Sequence, residues 1–286
     1  MYDAIIIGGG PAGISAGLYT QRANKKTLII YQESTSLQKA AKIENYYGFE
    51  DGISGSNLYK TGIKQAQNIG IKTLKEEVIR VGIIEEGFEV VTDKNIYFAK
   101  AIIIAIGTKK NKTNIKGVKE LEGKGVSYCA ICDGFFYKNR NVAVIGSGSY
   151  ALSETNDLIN IANKITILTN GEKAPEFRAD NVEVVDKKIE EISGENRVKE
   201  VRFTDGTTLE TDGVFIAQGT AGSIELAKKI GLMTNGDKIV VDQNMQTNIN
   251  GIYACGDCTG GLLQVSKAVY EGTVAGLEVN KYLKEK

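Results

Sequence analysis

The sequence contains no histidine. That single absence removes imidazole general bases, histidine-based catalytic triads and most zinc or haem sites. Any proton donor must then be a carboxyl, a lysine, a tyrosine, a cysteine or water. Net charge is also absent, because 35 basic and 35 acidic side chains cancel. No global field draws the chain to nucleic acid or to an anionic membrane. Long apolar runs are missing too: Ala4 to Ile7 and Ala101 to Ile106 fall far short of the roughly 20 residues a membrane helix needs. No basic stretch precedes a signal-like core, so the expected location is the cytoplasm. Proline occurs only 2 times and no low-complexity tract interrupts the chain. Cysteine is sparse, at 4 in 286 residues, which does not make the disulfide framework of a secreted domain and points to a reducing compartment.

What is present describes a globular protein of two domains, with 42% hydrophobic and 24% charged residues. The N-terminus reads strand, glycine turn, helix, strand: Tyr2 to Ile7 is apolar, the glycines follow, and Lys26 to Tyr31 resumes a β-branched run. A second such unit starts at Asn141, with Val142 to Ile145, a glycine turn, a helix from about Ala151 and a strand over Ile165 to Leu168. The stretch from Ile83 to Ile104 alternates and then becomes wholly apolar, as a meander returning to a buried central strand would. The fold class is therefore α/β, with two Rossmann-like dinucleotide-binding-type domains in tandem. The lysine-rich stretch Lys109 to Lys124 contains a linker between the halves. From Asp242 the pattern resumes a strand at Ile252 to Cys255 and a helix to Tyr282, whose chemistry belongs with the first half. The expected division is 1–113 with 242–286 as one domain and 114–241 as an insertion.

Gly8-Gly9-Gly10-Pro11-Ala12-Gly13 follows a strand and opens a helix. Glycines at that spacing allow a tight turn, close approach to a pyrophosphate and helix–sheet packing, and the helix N-terminus favours the negative charge. Glu33 is the available acid for the ribose hydroxyls, while Tyr31 stands where relatives place that acid. Ala105-Ile106-Gly107-Thr108 and Tyr253-Ala254-Cys255-Gly256-Asp257 resemble the two further FAD signatures of flavoproteins with two dinucleotide-binding domains. The resemblance implies that Gly8, Gly10, Pro11, Ala12, Gly13, Asn45, Ala105, Gly107, Gly256 and Asp257 contact FAD, with Asp257 meeting the ribityl chain or phosphate.

Cys129-Ala130-Ile131-Cys132-Asp133-Gly134-Phe135-Phe136 precedes the second unit. A CxxC can close a short disulfide loop, and no second CxxC at zinc-ribbon spacing follows it, so no metal site is expected. The run resembles the active-site segment of low-molecular-weight thioredoxin reductases, and the resemblance covers essentially the whole chain. It implies that Cys129 and Cys132 are the redox pair, that Cys132 lies nearer the flavin, that Asp133 moves the proton, that thioredoxin is the acceptor and that the protein is a homodimer. Cys255-Gly256-Asp257-Cys258 is a CxxC in form only; its overlap with the FAD signature makes packing beside the cofactor its expected role.

The second glycine turn, Gly146-Ser147-Gly148-Ser149-Tyr150-Ala151, departs from the family. Tyr150 is expected to set its ring against the pyrophosphate site. After the next strand the sequence is Leu168-Thr169-Asn170-Gly171-Glu172-Lys173, with no arginine before Arg178, although a 2′-phosphate calls for fixed positive charge and bidentate donors. NAD(P)H is therefore not expected as the donor. The pattern resembles the ferredoxin-dependent flavin thioredoxin reductases, and the lysines between Lys109 and Lys124, with Lys138 and Arg140, are the candidate surface for an acidic ferredoxin. Competing readings are a conventional NAD(P)H-dependent reductase, a reductase of a peroxiredoxin-like or other disulfide protein, and a non-catalytic FAD-binding redox sensor.

Overall fold

The computed structural model describes residues 1–32, 36–108, 113–173, 176–219 and 222–285. They form two compact units, 1–109 with 222–286 and 110–221. In the first unit the elements are β1 (Tyr2–Ile7), α1 (Pro11–Arg22), β2 (Thr27–Tyr31), α2 (Gly55–Asn68), β3 (Lys72–Lys75), β4 (Val78–Ile84), β5 (Gly87–Thr92) and β6 (Ile96–Ile104). The second unit contains β7 (Val126–Ser127), α3 (Ala130–Asp133), β8 (Asn141–Ile145), α4 (Ser149–Leu158), β9 (Lys164–Leu168) and β10 (Val182–Val185). It continues with β11 (Ile189–Ser193), β12 (Glu200–Phe203), β13 (Thr208–Glu210) and β14 (Gly213–Ile216). The chain then re-enters the first unit with α5 (Ser223–Ile230), β15 (Thr234–Asn235), β16 (Lys238–Ile239), β17 (Ile252–Ala254) and α6 (Val265–Glu285).

The first sheet runs β3-β2-β1-β6-β5-β4, with β17 also pairing β6. Strand β6 serves two environments along its length. Its start, Ile96 to Ala99, pairs antiparallel with β5 and carries exposed residues, whereas Ile102 to Ile104 is fully buried between Ile5–Ile7 of β1 and Ile252–Ala254 of β17. A strand covered on both faces reads as a continuous apolar run, which is why the sequence alternates first and then stops alternating. Helix α1 opens with Pro11 at its first turn, where the missing N–H costs nothing. Small residues on both helices let α1 and α6 approach closely: a Cβ on Gly276 of α6 would come within 2.6 Å of the Ala16 carbonyl oxygen of α1.

The second unit repeats this plan. Its parallel sheet runs β10-β9-β8-β14-β7, and the meander β11-β12-β13 precedes the return strand β14 beside β8, as β4 and β5 precede β6 beside β1. The stretch 115–121, expected near a linker, is packed into this unit through Val118 and Leu121, and residues 109–112 lie outside the described residues.

One expected boundary is corrected. Residues 222–241 belong to the first unit rather than to the insertion. Leu226, Ala227, Ile230, Leu232 and Ile239 pack in one cluster with Ile5, Leu28, Ile102 and Ile252. Helix α5 covers one face of the first sheet, and that burial holds the segment there.

Candidate functional site

Each unit presents a glycine turn at the end of its first strand. In the first unit, Gly8 has φ of 121°, and a Cβ there would collide with the carbonyl oxygen of Ala105. The first and second signatures of the sequence are thus in contact. The third joins them, since a Cβ on Gly256 would lie 2.9 Å from the Cβ of Ala12. Gly10 caps α1 without a side-chain hydrogen bond, and nothing lies within 4 Å of the place a Cβ would occupy on it. That open approach to a helix N-terminus is what a diphosphate requires. A cleft of ≈ 200 Å³ lies against Gly9, Gly10 and Pro11, closed further by Tyr46, Val265 and Val269. The arrangement fits the pyrophosphate of FAD. Asn45, far away in sequence, donates to the Gln264 side chain at 2.9 Å and so stands at the start of α6. Glu33 lies outside the described residues.

Asp257 is partly buried, and desolvation pushes its carboxyl up, with Lys267 pulling the other way and Glu271 adding to the rise. The loop that carries it is gripped from α6. The Gly256 amide donates to Glu271 Oε2 at 2.8 Å, and Lys267 Nζ donates to the carbonyls of Gly256 (2.8 Å) and Gly260 (2.6 Å). Cys255 and Cys258 are fully buried thiols. Burial pushes Cys258 up to about 12 and Cys255 well above the ordinary thiol range, so both stay protonated and unreactive at neutral pH.

The second unit holds the other chemistry. Cys129 and Cys132 form a disulfide across the single turn α3, with Cα atoms 5.3 Å apart. Cys129 is 3% exposed while Cys132 is exposed. Four successive backbone groups around Cys129 are taken. Tyr150 Oη donates to the Tyr128 carbonyl at 2.8 Å, and the Cys129 amide donates to Ser127 Oγ at 3.1 Å. The Cys129 carbonyl accepts from the Asp133 amide at 3.1 Å, and the Ala130 amide donates to Glu154 Oε2 at 2.6 Å. Ser127 Oγ in turn donates to Asp133 Oδ2 at 2.6 Å, tying the carboxyl to the cysteine it neighbours. Beside the disulfide, Ile131, Phe135 and Phe136 are exposed apolar side chains.

The structure overturns one reading of the second glycine turn. The Tyr150 ring does not fill the turn; it is wholly buried among Ala130, Val142, Leu158 and Phe215. What meets the turn is acidic: Ser147 Oγ donates to the Glu172 carboxylate. The turn's backbone is otherwise that of the first, with Gly146 at φ of 155° against the Ala217 carbonyl. Among the described residues no group of three or more Cys, Asp or Glu side chains is placed to hold a metal.

Sequence reasoning missed Ser127, Glu154 and Glu172. Glu154 had a signal: it lies four residues after Tyr150 and four before Leu158, on the buried face of α4, where an acid needs a partner.

The family model for pyridine nucleotide-disulphide oxidoreductases matches residues 2–272. A thioredoxin reductase of Listeria innocua is 36% identical over 303 aligned positions, spanning 100% of this chain and 95% of that protein. Among solved structures, the atypical thioredoxin reductase of Desulfovibrio vulgaris Hildenborough superposes with a TM-score of 0.89 at 36% identity, over 100% of this chain and 99% of that one. A ferredoxin-flavin thioredoxin reductase of Clostridium acetobutylicum does so with a TM-score of 0.70 at 34% identity, again over 100% and 99%. With the three dinucleotide signatures in contact and a formed CxxC disulfide in the second unit, the chain belongs to the pyridine nucleotide-disulphide oxidoreductases and, within them, to the thioredoxin reductases.

Proposed function

We propose that the protein is an FAD-dependent thioredoxin reductase whose electrons come from reduced ferredoxin rather than from NADPH or NADH. The observation that carries the choice of donor is the Glu172 carboxylate hydrogen-bonded at the second glycine turn. A 2′-phosphate there would meet negative charge where it needs fixed positive charge, and against NADH the carboxylate is engaged by Ser147 Oγ in the turn itself rather than offered to ribose hydroxyls. The strand end, Thr169-Asn170-Gly171-Glu172, supplies no arginine. The similarity to the ferredoxin-flavin reductase of Clostridium acetobutylicum supports the same donor class.

Gly8, Gly10, Pro11, Ala12 and Gly13 would hold the diphosphate, Ala105 and Gly107 the adjoining wall, and Gly256 with Asp257 the ribityl side, with Asn45 placed by Gln264. Bound FAD supplies a store that accepts electrons singly and releases them in pairs. Reduction of the Cys129–Cys132 bond takes two electrons and two protons. Asp133, joined to the Cys129 amide through Ser127, is the acid that delivers and recovers a proton. Following the family, Cys132 is the sulfur assigned to the flavin side. Ile131, Phe135 and Phe136 give thioredoxin an apolar surface next to the disulfide. Lys116, Lys119, Lys124 and Lys138 are exposed and available to an acidic donor, interleaved with Glu120 and Glu122. Arg140 is paired with Asp212 at 3.2 Å, and Lys109, Lys110 and Lys112 lie outside the described residues. A homodimer in the cytoplasm completes the proposal.

A second reading, NAD(P)H as donor, is favoured by the intact glycines of the second turn. An anaerobic titration separates the two. Bleaching of the flavin and release of thioredoxin thiols with reduced ferredoxin alone is the expected result; prompt bleaching by NADPH or NADH would overturn the ferredoxin assignment.

A further inference from the structure

Helix α4 follows the second glycine turn, yet its buried face is directed at the redox segment. Tyr150 and Glu154 lie four residues apart on that face, both 0% exposed. Tyr150 takes the carbonyl before Cys129, and Glu154 takes the amide after it. The Cys132 amide meanwhile donates to the Cys129 sulfur at 3.3 Å. Two of the first three amides of α3, those of Ala130 and Cys132, are thus divided between a carboxylate and the sulfur.

We propose that Glu154 is a positioning residue that poises the Cys129–Cys132 couple, its carboxylate holding the Ala130 amide and opposing negative charge on the adjoining sulfur. The inference rests on the dithiol chemistry of the family and not on the choice of electron donor. Breaking the S–S bond adds two electrons and two protons. A thiolate would dispense with one of those protons, and a disulfide whose reduced form is stabilised in that way is a stronger oxidant. An acid one peptide unit from Cys129 works in the opposite direction. It keeps the reduced form a dithiol and a better electron donor, which is what reducing another disulfide demands.

The test is the thiol–disulfide equilibrium of the FAD-loaded protein in anaerobic glutathione buffers, read after acid quench by counting alkylated cysteines by mass spectrometry. Glu154→Gln can still accept from Ala130 but removes the charge. It should shift the equilibrium about tenfold toward the dithiol, equivalent to about 30 mV. Glu154→Asp keeps the charge on a shorter arm; it should hold the equilibrium near that of the parent while lowering Tm. A Glu154→Gln equilibrium within twofold of the parent would overturn the proposal. So would a tenfold shift in Glu154→Asp, which would assign the effect to packing whether or not Glu154→Gln accumulates folded.

Discussion

The two glycine turns share a backbone and differ in what surrounds it. Gly8 stands against the Ala105 carbonyl and Gly146 against the Ala217 carbonyl; the glycines two residues beyond those alanines, Gly107 and Gly219, have φ of 69° and 70°. After the first turn, α1 carries Ala12, Gly13, Ala16 and Gly17 on its buried face, and the turn opens onto a cleft. After the second, α4 carries Tyr150 and Glu154, which hold the redox segment, and Glu172 reaches the turn itself. The two units therefore share the strand–turn–helix geometry and differ in the side chains that surround it.

The sharpest way to break the comparison is to remove the chemistry from one unit and leave the other intact. Cys132→Ser should abolish reduction of thioredoxin while FAD absorbance and the stoichiometry of bound flavin stay at parent values. Loss of flavin in that variant would mean that the division of labour between the units is wrong.

The same substitution in both turns is the next largest effect. Gly8→Ala and Gly146→Ala each force a side chain into a backbone oxygen at positive φ, a cost of about 3 kcal/mol or more. Gly8→Ala should lose FAD. Gly146→Ala should lower the stability of the second unit and leave flavin bound, which equilibrium dialysis with denaturant titration would show. Gly10→Ala sharpens the contrast, because its site is sterically open: it should weaken FAD binding with little change in Tm.

Smaller still is Tyr150→Phe. It leaves the ring in its cluster and strips the Tyr128 carbonyl of its donor, so urea unfolding should show a loss of about 1–2 kcal/mol. A variant as stable as the parent would deny Tyr150 its role in the redox segment.

The two CxxC pairs give the last test, read as a slope against pH rather than as a single loss. The pair in the second unit is oxidised and reachable through Cys132, while Cys255 and Cys258 are sealed thiols. Their folded pKa values lie above the unfolded value of about 8.5. Their contribution to stability is therefore complete below that pH and is lost as pH rises toward about 12 for Cys258. The unfolding free energy from urea titrations should fall between pH 8 and pH 10, by at most about 1.4 kcal/mol per pH unit for each thiol, and Cys258→Ala should flatten the fall.

Much of this was legible in the residues. Apolar runs next to glycine turns marked both βαβ units, and the switch from alternation to continuous Ile in β6 marked a strand buried on both faces. The CxxC marked the segment in which the disulfide forms, because the two cysteines are close in sequence and their spacing is the geometry. The return of 222–241 to the first unit was not legible: α5 is amphipathic, and its sequence does not say which sheet its apolar face will cover.

Local sequence by itself determined the turns, the disulfide and the absence of any imidazole chemistry, since each depends on residue type over a few positions. Only the tertiary structure decided that Tyr150 turns inward rather than across the glycine turn, that Glu172 meets that turn, and that Glu154 meets the Ala130 amide across 24 residues. A buried polar group must be hydrogen-bonded, and the partner that satisfies it is whichever group the packing of strands and helices brings within reach.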